Sequence, residues 1–307
     1  MRIVGYDQAF AGDWVALYNL LRPTPITVAE FAEREARWPA NDIRLRFLGR
    51  DGGRTVAIGQ LSLAPFAPPD HLGLSLCVDP SHRRRGHGTQ MLDHLEEEAG
   101  KRDYAALAAT LPEEAAEAHG WAGRRGFRQH ALRFDGLLDL TRWAPPADAC
   151  ADHAPAGVTL SSMAGATEAQ WRSLVALFGR LLAETPDMEG LPSWSDDRCR
   201  AALRSHPGAR EDWLIVARSN DIDIGLTVGQ AMGHEVYSFF TGVAPGWRGQ
   251  GLGIALKRRL IEVTRGQGIA AMRTTNLDRN RPALRMNEKL GFRRAMGSVE
   301  LRKRLVG

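Results

Sequence analysis

The sequence predicts an α/β (α+β) protein in which one fold occurs twice, and three observations carry that reading. The order strand, Gly-rich loop, helix appears in LCVDPSHRRRGHGTQML and again in TGVAPGWRGQGLGIAL. One spacing holds along the chain: Val243 follows Val78 by 243 − 78 = 165, Gly291 follows Gly126 by 291 − 126 = 165, and Leu305 stands in the same relation to Leu140. The length, 307 residues, is about twice that of a common domain and allows two full cores.

Taken in order, apolar periodicity gives the first copy a strand at Arg2 to Gly5, helices at Asp13 to Leu21 and Val28 to Arg37, and strands at Ile43 to Gly49, Thr55 to Leu63 and Leu72 to Val78. After the loop come a helix at Gly88 to Ala99, a strand at Tyr104 to Thr110, a helix at Glu113 to Arg124 and final strands through Leu140. The second copy repeats the order. It has a strand at Val158 to Met163, helices at Glu168 to Ala183 and Asp196 to Ser205, and strands at Trp213 to Arg218, Ile222 to Gln230 and Glu235 to Val243. A helix at Leu252 to Arg265, a strand at Ala271 to Asn276, a helix at Arg281 to Lys289 and a last strand pair complete it. Between the copies APPADACADHAPAG, Ala144 to Gly157, has no periodicity and reads as a linker, which sets the expected domains at 1–143 and 158–307.

Composition excludes several classes. With 44% hydrophobic and 25% charged residues the chain reads as an ordinary globular protein, and no stretch approaches a membrane span. MRIVGYDQAF lacks an apolar run behind a basic start, so the cytoplasm is the expected location, without a membrane partner. Cys77, Cys150 and Cys199 are odd in number and widely spaced, which supports neither a disulfide framework nor a zinc site; no metal is expected, and Cys77 is placed in a core strand. The net charge of +4 suits nucleic acid or a small polyanion. Two of the basic clusters, Arg83 to Arg85 and Lys257 to Arg259, lie beside the Gly-rich loops, and no aromatic residues are interleaved with them, so a small polyanion is favoured over nucleic acid. Lys257 to Arg259 read equally well as the solvated face of a helix.

The second loop is TGVAPGWRGQGLG. Glycines at 249, 251 and 253 leave the backbone bare, so N–H groups can close on a ligand oxygen while the start of the following helix adds partial positive charge. That suits a pyrophosphate, with a plain turn as the alternative. The spacing fits neither a P-loop nor a dinucleotide fingerprint. Arg248-x-x-Gly251-x-Gly253 resembles the R/Q-x-x-G-x-G/A signature of the GNAT acetyltransferases. The stretch from Thr274 to Phe292, TTNLDRNRPALRMNEKLGF, is similar to the second motif of that family, with Asn280, Ala283, Met286, Gly291 and Phe292 in register and Asn287 where the family has tyrosine.

The resemblance implies two tandem GNAT folds, each a mixed, splayed central sheet flanked by helices, with acetyl-CoA as co-substrate. It implies an N-acetyltransferase acting on the primary amine of a small molecule, by direct attack in a ternary complex, as a monomer or homodimer. An acyl-CoA-binding module with little turnover, or a mycothiol-synthase-like enzyme, are the alternatives. Coenzyme contacts then fall on Val243, Arg248, Gly249, Gln250, Gly251, Leu252 and Gly253, with a backbone N–H near Val243 for the oxyanion, and on Asn276 and Asn280. The first copy offers Val78, Arg83, Arg84, Arg85, Gly86, His87 and Gly88, although His87, His119 and His234 form no triad order and read better as surface residues.

For catalysis, alternation places Glu235, Tyr237, Phe239 and Thr241 on one strand face, where Glu235 or Tyr237 can draw a proton through water; a solvated strand end and a core aromatic are the plainer readings. Asn287 can hydrogen-bond the thiol region. Asn280, ahead of Arg281-Pro282, also reads as a helix cap. The first copy lacks the second motif: 165 residues before Asn280 and Asn287 stand Ala115 and Ala122, so the second copy is expected to be the catalytic one.

Overall fold

The computed structural model describes residues 1–22, 25–36, 42–64, 67–145 and 154–305; Arg37, Cys150 and most of the expected linker lie outside the described residues. In chain order the elements are β1 (Arg2–Gly5), α1 (Ala11–Tyr18), α2 (Val28–Ala36), β2 (Arg44–Asp51), β3 (Arg54–Leu63), β4 (His71–Val78), α3 (His87–Gly100), β5 (Ala106–Pro112), α4 (Ala116–Arg124) and β6 (Arg128–Asp139). There follow β7 (Val158–Ser162), α5 (Glu168–Ala183), α6 (Asp196–Arg200), β8 (Ala209–Ser219), β9 (Ile222–Met232), β10 (Glu235–Val243), α7 (Leu252–Gly266), β11 (Ala271–Leu277), α8 (Arg281–Lys289) and β12 (Arg293–Arg304).

The chain packs into two compact units, residues 1–130 with 299–307, and residues 131–298. The repeat divides the sequence at 144–157 and the packing divides it elsewhere, because the unit of duplication and the unit of packing differ here. Unit one runs β1-β2-β3-β4-β5 and closes on the end of β12; unit two runs β7-β8-β9-β10-β11 and closes on β6. Each sheet is mixed, since β4/β5 and β10/β11 are parallel while the neighbouring pairs are antiparallel. Among the described residues no helix is long and apolar enough to cross a membrane.

Where a strand pair was expected at the end of each copy, one long strand stands. Gly136 serves close approach within it: a Cβ there would sit 3.1 Å from Asn276 Nδ2. β6 therefore stays paired with β11 from Asp139 to Arg133. The helix expected through Ser205 gives way after Arg200 to a π-helical turn, Ala201–Ser205.

Unit two shows how the sequence sets the layers. Thr167 caps α5 reciprocally with Gln170, and Trp171, Leu174, Val175, Phe178, Leu181 and Leu182 recur every three to four residues to form one buried face. On the other side of the sheet α7 lays Leu252, Leu256, Leu260 and Ile261 on the strands. Gly225 and Gly229 make room for it, since a Cβ at Gly229 would meet Leu260 Cδ1 at 2.9 Å and Val236 Cγ1 at 3.2 Å. Gly229→Val should therefore overpack this interface and destabilise the fold by about 1–3 kcal/mol. A lowered urea midpoint is the expected reading, and an unchanged one would show that α7 shifts freely.

Candidate active site

β10 and β11 pair only at Glu235↔Ala271, Val236↔Met272 and Tyr237↔Arg273, although both strands continue, to Val243 and Leu277. Beyond Tyr237 the ladder is open. At the splay a side chain takes over, with Thr274 Oγ1 donating to the Ser238 carbonyl at 3.1 Å. Ala244 N–H bonds back to Ile224 on β9 at 2.8 Å, so by strand alternation the N–H groups of Thr241 and Val243 face the open side.

A bulge at Phe239 shifts the β10/β9 register between Ser238 and Phe240. It corrects the expectation that Glu235, Tyr237, Phe239 and Thr241 share a face. The extra residue resets the alternation, so Phe240 packs on Phe178 of α5 at 5.0 Å while Thr241 bonds Thr227 Oγ1 at 2.8 Å. Tyr237 and Phe239 keep their common side, with ring centroids 6.4 Å apart.

The loop after β10 is a cradle. Arg248 Nε donates to the Val243 carbonyl at 2.9 Å and its guanidinium also pairs with Glu184 at the end of α5. Gln250 Nε2 bonds the Gly246 carbonyl at 3.1 Å. Gly249 and Gly251 take left-handed φ of 76° and 82°, which turns the chain into α7. The first α7 backbone bond is Ala255 N–H to Gly251 C=O, 3.1 Å, so the N–H groups ahead of it have no acceptor within the helix. Gly253 lets Met286 of α8 approach, with Sδ 3.4 Å from a built Cβ. Leu252 offers only its backbone, because its side chain is core.

The first copy repeats this geometry: Arg83 Nε donates to the Val78 carbonyl at 3.3 Å, Arg85 bonds the Ser81 carbonyl at 3.3 Å, and Gly86 takes φ 83°. Arg84 stands in the place of Gly249 at φ 63°, its exposed side chain 3.5 Å from Glu117. His87 is buried rather than on the surface, 3.6 Å from the half-exposed Asp51, and Trp121 lies against Gly88.

Around the splay of unit two the side chains are polar. Lys257 on α7 is 2% exposed; its Nζ donates to Asn287 Oδ1 at 2.6 Å and lies 4.6 Å from the Phe292 ring centre. Asn287 Nδ2 donates to Asn276 Oδ1 at 2.6 Å, and Asn276 Nδ2 to the Phe134 carbonyl at 3.3 Å. Ser238 Oγ is buried without a hydrogen-bond partner among the described residues. Asn280 caps α8, accepting from Ala283 N–H at 3.3 Å. Burial pushes the Lys257 amine down to about 7.

On the side of the sheet that faces α5, Glu235 is tied to Arg273 at 3.1 Å, and Arg273 to Asp135 at 2.8 Å. Burial raises the Tyr237 phenol, outweighing its hydrogen bond with Thr275. At neutral pH Tyr237 is a proton donor rather than a base. Pairing alone could not reveal Asp135, Arg273, Ser238 or Lys257. For Lys257 the repeat carried a signal, since Leu92 stands at 257 − 165 = 92.

The Lys257 amine binds its proton more weakly in the folded chain than at its ordinary 10.5, so from pH 7 to about 10.5 the unfolded chain holds the extra proton. Stability of the parent relative to Lys257→Met should therefore be lowest at and below pH 7 and rise towards 10.5. Urea melts at about pH 6, 8 and 9.5 check this, and a difference independent of pH would place the amine in solvent.

The acetyltransferase (GNAT) family model matches residues 14–127 and 181–292. The mycothiol acetyltransferase of Kineococcus radiotolerans is 31% identical over 266 residues, covering 80% of this chain and 77% of that protein. The mycothiol acetyltransferase of Thermomonospora curvata is 30% identical over 243 residues, with coverage of 78% and 76%. Among solved structures, a tandem GNAT protein from the clavulanic acid biosynthesis pathway superposes with a TM-score of 0.71 at 22% identity, over 100% of this chain and 99% of that one. A GCN5-related N-acetyltransferase from Sphaerobacter thermophilus gives 0.73 at 17%, over 100% and 96%. The chain belongs to the GNAT acetyltransferase family and carries the family's fold in tandem.

Proposed function

We propose that the protein moves the acetyl group of acetyl-CoA to the primary amine of a small molecule, by direct attack in a ternary complex at the second copy. The observation that carries this is the parting of β10 from β11 after Tyr237, with the N–H cradle of residues 249–253 at the end of the same strand. A thioester supplies an activated acyl carbon; the residues do the rest. The cradle and Arg248 hold the pyrophosphate, the open ladder takes the pantetheine arm, and the N–H groups of Thr241 and Val243 are in place for an oxyanion. Glu235, held by Arg273, takes the amine proton through water. An open cleft of about 540 Å³ along α5 carries Glu184, Trp194 and Asp196, a lining suited to an amine.

Catalysis is assigned to the second copy because its splay is polar where that of the first is apolar. The counterparts of Thr274, Asn276, Asn287 and Lys257, 165 residues earlier, are Ala109, Leu111, Ala122 and Leu92. Nor does β4 have the bulge, its register with β3 running unbroken from Val78 to Leu72. On the α1 side, Arg46 fills the core of the first copy, 5.1 Å from the Trp14 ring and 4.8 Å from that of Phe31.

The relatives named mycothiol acetyltransferase, matched over three quarters or more of their length, favour an acceptor of the mycothiol series as the particular amine. Asn287 in place of the tyrosine sets this chain apart from the usual second motif.

Acetyl-CoA should raise the melting temperature, by about 2.7 kcal/mol of added stability at 100 times Kd. No shift at millimolar coenzyme, with no heat of binding, would remove the assignment. Gly251→Glu places a carboxylate in the second cradle and should cost at least about a hundredfold in turnover, near 2.7 kcal/mol of barrier. Gly86→Glu, at a matching φ in the first copy, should change turnover only modestly. The reverse pattern would move catalysis to the first copy.

A further inference from the structure

Lys257 is an ammonium-bearing side chain buried against the Asn287 amide and the Phe292 ring, and among the described residues no carboxylate pairs with it. On α7 the adjoining Arg258 and Arg259 pair with Glu262. From α8 it meets Asn287, from beyond α8 the Phe292 ring, and through Asn287 the β11 side chain Asn276. Burial is the cause of its weakened hold on a proton. The first copy shows that the site needs no charge for packing: Leu92 and Ala122 occupy the two positions and are buried. A buried cation without a counter-charge is costly. Its arrangement is directional. A charged ammonium only donates, so the Asn287 atom facing it must be the carbonyl oxygen, which turns the amide nitrogen to Asn276 and the splay. A neutral amine also accepts, and the constraint lapses.

We propose that Lys257 is a positioning residue for acetyl transfer: its ammonium locks the Asn287 amide so that an Asn287 N–H and the unpartnered Ser238 hydroxyl receive the sulfur of the departing thiolate, in the place where the family has a phenol. This rests on the reading that the second copy binds acetyl-CoA in its splay. The acceptor nitrogen bonds to the acyl carbon, the C–S bond breaks with its electron pair going to sulfur, and the amine proton passes to water. The thiolate takes a proton from solvent on release, and Lys257 keeps its own throughout. A thiol ionises near 8.5, so hydrogen bonds rather than full protonation suffice for it to leave. Polarisation by the ammonium strengthens the amide donor.

The chain has four lysines, Lys101, Lys257, Lys289 and Lys303, so ¹³Cε-lysine NMR of the whole protein resolves each of them. The resonance missing from Lys257→Met should titrate near neutral pH, and its midpoint should rise when coenzyme A replaces acetyl-CoA, because the bound thiol can then ionise beside it. In turnover with the best amine of a screen, Lys257→Met should keep the acetyl-CoA Kd within about threefold, lose about a hundredfold in kcat, and lose the falling limb of kcat above neutral pH. The double variant Lys257→Leu with Asn287→Tyr, which restores a phenol over an apolar neighbour, should regain much of that loss. A kcat within about threefold of the parent, an unaltered pH limb, or a loss matched by lost coenzyme affinity would overturn the proposal. If Lys257→Met does not fold, the parent spectrum still decides, because four lysines all titrating near their ordinary value would overturn it. A parent that binds no acetyl-CoA by calorimetry would count against the function itself, whereas intact binding with an indifferent Lys257 counts against this inference alone.

Discussion

Everything in the second unit turns on the point where β10 stops pairing with β11. Two parallel strands that part after three residue pairs leave backbone groups without partners in the middle of a packed sheet, and such groups are costly unless something bonds them. The protein meets part of that demand itself: Thr274 Oγ1 reaches the Ser238 carbonyl and Arg248 reaches that of Val243. The N–H groups of Thr241 and Val243 still face the open side. Cradle, cap and buried asparagines are arranged around that gap.

The two copies show what duplication leaves behind. Backbone geometry is kept closely, down to the left-handed glycine before each helix and the arginine folded onto the last strand carbonyl. Side chains have diverged. One copy fills its splay with Leu and Ala. The other holds an ammonium, four amide or hydroxyl side chains and a bulged strand. Chemistry, more than ligand shape, separates them.

Much of this was readable in the residues. The ranges Glu168 to Ala183, Glu235 to Val243 and Arg281 to Lys289 match the helix and strand bounds, because apolar period, Thr and Asn caps and Gly/Pro punctuation all agree there. The turn into α7 was legible because the glycines at 249 and 251 take the left-handed φ that other residues resist. The bulge at Phe239 was not, since nothing local in YSFFT marks which residue leaves the ladder. Lys257 was misleading for a different reason: its neighbours Arg258 and Arg259 are polar, so the run reads as a wet face, although spacing from Leu256 and Leu260 turns the lysine inward.

The exchange of closing strands bears on how the chain is made. The sheet of unit one ends at β5, and the backbone that continues it, residues 299–305, follows His130 by 299 − 130 = 169 residues. At ribosomal speed that is a delay of roughly 10 to 30 seconds. For that time the apolar strand Ala106–Pro112 is a bare sheet edge, open to any extended segment that comes by. The half of the duplication that emerges first is thus the one that waits longest to be finished, and a chaperone or a second nascent chain has its best opportunity there.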